Sequence, residues 1–198
     1  MGNNPFNAGY YETDELRAFG FGSVGENVRI AKNCNIIGLE NIHIGDNVRI
    51  DPFCSLIALG GFINLGSYIH IGGYCHLSGR GGITMGDFSG LSQRVNVYSA
   101  SDDFSGRHMT NPMVPAHLIG ARIEPVVIGR HAIVGAGSVI LPGVTLNEGV
   151  AVGSLALVTH SQAEWTVCTG VPARKMSERT RNPLALEHDL SRSESMAG

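Results

Sequence analysis

Charge is scarce in this chain. Only 16% of its 198 residues are Asp, Glu, Lys or Arg, and the formal net charge is −3. A protein that holds nucleic acid through its phosphates carries a basic face, so that class is not expected. No run approaches the roughly 20 apolar residues of a membrane-spanning helix, so no membrane insertion is expected either. The opening residues, MGNNPFNAGYYETDELR, lack the basic start and apolar stretch of a secretory signal, and a cytoplasmic location follows as the expectation. Aromatic residues make up 7%, with a single Trp. The four Cys show no CxxC spacing, which argues against a zinc ribbon or a disulfide framework. What is abundant is Gly, 27 residues, set among 43% apolar residues.

The apolar residues keep an unusual period. Residues 128–160 read IGRHAI, VGAGSV, ILPGVT, LNEGVA, VGSLAL, VTH, with an aliphatic residue every six positions at Ile128, Val134, Ile140, Leu146, Val152 and Val158. A helix needs a period of about 3.6 and a lone strand a period of about 2; six fits neither. It fits short strands joined by tight turns and wound into triangular coils, three hexads to a coil. The same marks run upstream through Val24, Ile30 and Ile36, then Ile44, Ile50 and Leu56, then Leu65, Ile71 and Leu77, then Met85, Leu91 and Val97. These sets begin 20, 21 and 20 residues apart. Each coil therefore carries two or three extra residues at its third corner, around 39–41, 59–62 and 79–82. The reading is an all-β solenoid of about six coils over residues 24–160.

Cys34, Cys54 and Cys75 each fall four residues after an aliphatic mark. They should stack in one column about 4.8 Å apart, as small buried core residues; Cys168 stands outside that column. Residues 1–23 read as a loose polar leader (1–10) followed by a short helix from an N-cap at Thr13 to about Ala18, closing the open end of the first coil. Residues 161–198 read as a last strand and turn, a short helix over about 184–190 and a Ser-rich tail. The period breaks after Val97 and resumes at Ile128. Allowing one coil, roughly 23 residues remain as an insertion at 98–124, a length that marks a functional or disordered loop. It holds Asp102, Asp103, Arg107, His108 and His117, the one chemically dense loop in the chain.

The phrase IGRHAIVGAGSVILPGVTLNEGVAVGSLALVTH, followed by TGVPARKM, resembles the hexapeptide-repeat acyltransferases. Within them the chain is most similar to the galactoside and maltose acetyltransferases and to sugar acetyltransferases of surface-polysaccharide synthesis, among them acyltransferases of dTDP-4-amino-4,6-dideoxyglucose. The resemblance covers roughly residues 20–180. It implies a left-handed parallel β-helix, a homotrimer, and acetyl-CoA bound in a groove between prisms. By position it implies CoA contacts at Ala136, Ser154, Thr159, His160 and Arg174, with Arg174 near the phosphates, where a guanidinium can bind bidentately. Thr159 and His160 stand where the family usually has Thr-Lys. A backbone N–H at Gly135 or Ala136 could hold the oxyanion.

The family's general base is a His in a phrase like IYTATHP. Here the phrase is VYSASDD, which puts Asp102 in that place. A carboxylate of ordinary pKa near 3.9 is a weak base for a sugar hydroxyl. An amine, once neutral, attacks a thioester unaided and needs only to be held and relieved of one proton. The substitution points to N-acetylation of a nucleotide-linked amino deoxysugar. Asp102, with Asp103 beside it, is the catalytic candidate, and His70 is the competing base. A solvated Asp–Asp turn is the ordinary alternative. Sugar O-acetylation is the rival activity. A zinc carbonic anhydrase, which needs three His around one metal, and a non-catalytic solenoid are the rivals of other classes. No metal is expected.

Overall fold

A computed structural model describes residue 4 and residues 6–197. Three parallel sheets form the faces of a triangular, left-handed prism. The first face stacks Ser23–Val24, Ile42–Ile44, Ile63–Leu65, Ile83–Met85, Val126–Ile128 and Thr145–Leu146. The second stacks Arg29–Ala31, Arg49–Ile50, His70–Ile71, Gly90–Leu91, Ile133–Val134, Ala151–Val152 and Thr166–Thr169. The third runs from Asn35–Ile37 to Leu157–Val158. The registers pair each aliphatic mark with its counterpart one coil on, as in Ile50 with Ile71 and Leu77 with Val97. These marks enter a shared core, where Ile50, Leu77, Val97, Ile128 and Val158 are fully buried, and first-face strands add a second inward residue, as Ile42 beside Ile44 and Ile63 beside Leu65. Cys168 pairs with Val152 and is fully buried, so it occupies the aliphatic column of a seventh, partial coil.

The thiol column also has a bonding role. Cys34, Cys54 and Cys75 Sγ donate to the carbonyls of Asp51, Gly72 and Ser92, at 3.3, 3.2 and 3.1 Å. Ser138 Oγ does the same to Gly153 at 3.0 Å. A corner carbonyl is satisfied each time, which a purely aliphatic residue could not do.

Two corners carry side chains in ladders. At the first corner, Asn27, Asn47, Tyr68, Phe88, His131 and Trp165 all have positive φ, a costly conformation for bulky residues. Their rings stack outside the prism: Tyr68 on Phe88 at 4.7 Å, Phe88 on His131 at 5.1 Å. Gly149 interrupts the ladder because a Cβ there would lie 2.4 Å from the Trp165 ring. At the second corner Phe53 stacks on Tyr74 at 4.9 Å, and Arg94 lies over Tyr74.

Both ends differ in detail from expectation. The first helix, α1 (Thr13–Arg17), is capped at Glu12, whose backbone N–H meets Glu15 at 3.1 Å. Thr13 is not the cap: its hydroxyl accepts the Val28 N–H at 2.8 Å and ties the helix to the first coil. Tyr10–Glu12 forms an antiparallel strand on Arg29–Ala31, covering the edge of the second face. Of the leader, residues 1–3 and 5 lie outside the described residues. At the other end Arg174–Glu178 pairs antiparallel with Thr166–Thr169. The C-terminal helix, α2 (Asn182–Ala197), is longer than the sequence predicts and takes in most of the Ser-rich tail. Glu187 anchors it, reaching His131 Nε2 at 2.7 Å and ion-pairing with Arg130.

Candidate active site

The insertion leaves and re-enters the prism at the third corner. Ala100–Ser101 pairs antiparallel with Arg122–Ile123 and closes its base. An Arg122–Glu124 ion pair at 2.8 Å braces the returning strand. Asp103 shapes the turn between them. Its carboxylate accepts the Ser105 N–H at 2.7 Å, the His108 N–H at 2.9 Å and the His108 ring at 3.0 Å. These donors, Ser105 foremost, hold the Asp103 carboxyl well below the usual range. Asp103 is thereby occupied in holding the loop.

Asp102 is differently placed. It lines a cleft of about 720 Å³ with Arg80, Asn111 and an apolar wall that includes Val114, Ile119 and Ile123. On its other side it lines a second cleft of about 500 Å³ with Phe104, Gly120, Arg122, Leu141 and Pro142. Among the described residues Asp102 alone lines both clefts. The arrangement can hold a cationic group in one cleft while a second reactant approaches from the other.

Arg80 had no role in the sequence expectations, although its setting, Gly79-Arg80-Gly81-Gly82, is a lone cation among glycines. The corner that carries it is fixed by Ser99, which is fully buried. Ser99 Oγ accepts the Gly81 N–H at 2.8 Å and donates to Ser78 O at 2.7 Å. Three residues after Ser99 comes Asp102, so one hydroxyl ties together the two segments that line the cleft.

Within a single chain His70 stands away from both clefts. It lies on the second face, half exposed, with Nε2 2.8 Å from Asp51 Oδ2. Arg49 Nε meets Asp51 Oδ1 at 3.0 Å, and the Tyr10 hydroxyl donates to the same oxygen at 3.1 Å. Burial alone would raise the Asp51 carboxyl; the His70, Tyr10 and Arg49 contacts outweigh it and leave it lowered. Neither cleft at Asp102 includes His70.

Ala136 and Ser154 do come together. They line a cleft of about 540 Å³ at the second corner with Tyr74, Gln93, Arg94, Gly137 and Leu155. Small residues there leave the corner backbone open to a narrow ligand. Thr159 and His160 bond each other, Oγ1 to Nδ1 at 2.8 Å. Arg174 bonds the Ala173 carbonyl and is exposed. Those three lie outside the Ala136–Ser154 cleft.

Comparison with known proteins decides the lineage. A dTDP-4-amino-4,6-dideoxy-D-glucose acyltransferase from Escherichia coli is 43% identical over 178 residues, 90% of this chain and 93% of that protein. The chain belongs to the hexapeptide-repeat sugar acyltransferases. Among solved members, the N-acyltransferase AntD from Bacillus cereus, a serine-to-alanine variant with dTDP-4-amino-4,6-dideoxyglucose and coenzyme A, superimposes with a TM-score of 0.90. It is 41% identical and covers 95% of this chain and 100% of its own. The same enzyme is known as an aspartate-to-alanine variant, ten positions further along, with dTDP and coenzyme A. A maltose O-acetyltransferase from Clostridium difficile shares the fold, with a TM-score of 0.55 and 24% identity over 85% of this chain and 74% of its own. No family model matches the chain.

Among the described residues, no group of three or more His, Cys, Asp or Glu is placed to hold a metal ion. No helix of the described residues is long and apolar enough to cross a membrane.

Proposed function

We propose that this chain transfers an acyl group from a coenzyme A thioester to the amino group of a dTDP-linked 4-amino-4,6-dideoxyhexose. Asp102 holds the ammonium and takes the proton. The observation that carries this reading is the position of Asp102 between two clefts. One cleft receives the amino sugar and the other the thioester end of the donor. The amine nitrogen attacks the thioester carbonyl, the C–N bond forms, and the tetrahedral oxyanion collapses with loss of the CoA thiolate. The proton shed by nitrogen passes to Asp102 and from there to solvent or the thiolate. A carboxylate suffices for this acceptor, whereas a hydroxyl would need a stronger base.

The AntD variants support the same residue. Their altered Ser and Asp lie ten positions apart. Ser92 and Asp102 are the one Ser–Asp pair in this chain at that spacing. Ser92 precedes Gln93 and Arg94, which line the Ala136–Ser154 cleft.

In a single chain that cleft and Asp102 occupy different corners of the prism. We include in the proposal a homotrimer in which the second corner of one copy meets the insertion of the next. Each of its sites then joins Ala136 and Ser154 from one copy with Asp102 from its neighbour. The mass in solution should be three times 21.0 kDa. The four free thiols fit a reducing compartment, and the cytoplasm is the proposed location.

The test is CoA release from acyl-CoA with dTDP-linked 4-amino and 4-hydroxy sugars in parallel. The proposal expects turnover with the amine and little with the hydroxyl. Equal turnover with the hydroxyl would contradict the role given to a carboxylate base.

A further inference from the structure

Arginine and lysine side chains in this protein are nearly all engaged. Arg17, Arg29, Arg49, Arg122, Arg130, Lys175 and Arg181 pair with carboxylates. Lys32 and Arg94 lie over tyrosine rings, and Arg174 and Arg179 bond carbonyls. Among the described residues Arg80, Arg107 and Arg192 alone have no such partner, and of these three only Arg80 lines the cleft of Asp102. A guanidinium left unpaired at the edge of a cleft keeps all its donors for a ligand.

Its position is built. A Cβ at Gly61 would lie 2.4 Å from the Arg80 carbonyl, and one at Gly81 would lie 2.3 Å from the Ser99 carbonyl. Neighbouring coils therefore press directly on the corner backbone, and only glycine fits beside Arg80. The Ser99 hydroxyl fixes the same corner to the strand that leads to Asp102. The cleft consequently offers one cation, carried on a fixed corner, and one carboxylate, beside an apolar wall that includes Val114, Ile119 and Ile123. Its size, about 720 Å³, lies in the ordinary range for small-molecule sites.

We propose that Arg80 binds the diphosphate of the acceptor, so that Arg80 and Asp102 together select a substrate bearing an anionic diphosphate and a cationic amine. This rests on the acceptor reading above and extends it to the residue that recognises the nucleotide. Arg80 touches the substrate away from the bond that forms, so it acts on acceptor binding and leaves the donor untouched.

The experiment titrates dTDP into wild type, Arg80→Ala, Arg80→Lys and Arg192→Ala by calorimetry, alongside kinetics with the dTDP-linked amino sugar. Loss of a bidentate, charge-assisted contact should weaken dTDP about 10- to 100-fold in Arg80→Ala. The KM for the amino sugar should rise to match, with KM for acyl-CoA unchanged. Arg80→Lys should recover part of the loss, and Arg192→Ala should equal wild type. Thymidine, which lacks phosphate, should not distinguish wild type from Arg80→Ala. Wild-type dTDP affinity in Arg80→Ala overturns the inference, while continued amino-sugar turnover leaves the acceptor reading standing. Absence of turnover in wild type together with Arg80-dependent dTDP binding overturns the acceptor reading and upholds the phosphate site. Absence of both turnover and dTDP binding in wild type overturns both.

Discussion

Gly149→Ala tests the ladder at the first corner, and the protein's one tryptophan reports on it. Gly149 has φ +69°, and a Cβ there would stand 2.4 Å from the ring of Trp165. The backbone term for an L-residue in this region is about 1–2 kcal/mol. Forcing a methyl against a packed ring adds about 1–3 kcal/mol, since Trp165 is buried at 2% exposure and cannot swing away freely. Gly170→Ala is the matched control: φ is +98° but the nearest atom to an added Cβ is Pro172 O at 3.5 Å. It should lose only the backbone term, about 1–2 kcal/mol. For a chain of this length each kcal/mol is about 2–4 °C in Tm. Thermal unfolding followed by Trp165 fluorescence should therefore place Gly149→Ala below Gly170→Ala by about 2–12 °C. Gly149→Ala should also shift the folded-state emission. Equal Tm values for the two variants, with native emission unchanged, would refute the packing argument.

Three other expectations come from the same contacts. Ser99→Ala leaves the Gly81 N–H without its acceptor, which should cost about 1–3 kcal/mol and raise KM for the acceptor through the loosened Arg80 corner. The Asp103 carboxyl titrates lower in the folded protein than in the unfolded chain. Its contribution is therefore complete above the ordinary carboxylate range near 4 and is lost as pH falls through the lowered value. Hydrogen exchange at residues 103–108, corrected for intrinsic rates, should stay slow from pH 7 to about 4 and speed up below, while Asp103→Asn should be fast already at pH 7. His70→Ala should change turnover less than about threefold, because its Nε2 is committed to Asp51 and general-base loss would cost about 100-fold or more; a larger fall, with a shifted pH profile, would return His70 to the chemistry.

The solenoid was legible because burial here has one period. Each hexad mark from Val24 to Val158 falls on its own face column, and the extra residues at 39–41, 59–62 and 79–82 fall at the third corner. Cys168 escaped because residues 161–165 interrupt the six-residue count before the last coil resumes. The reach of α2 escaped for a different reason. Glu187 is held by His131, 56 positions away, and no local pattern encodes that pairing.

The site was legible only in part. Asp102 stood out because the insertion breaks the period and because its phrase resembles one that carries a His in the same place. The division of labour with Asp103 depends on which carboxylate finds loop amides, and adjacent identical residues give no sign of that. Arg80 needed the census of partners: an unpaired cation looks the same in sequence as a paired one.

The most direct measurement of the central claim is steady-state acyl transfer by Asp102→Asn with the dTDP-linked 4-amino sugar. Asn keeps the size of the side chain and removes its charge and basicity. The account predicts a fall in kcat of about 100-fold or more, with KM for acyl-CoA changed by less than about twofold. Undiminished turnover by Asp102→Asn would contradict it.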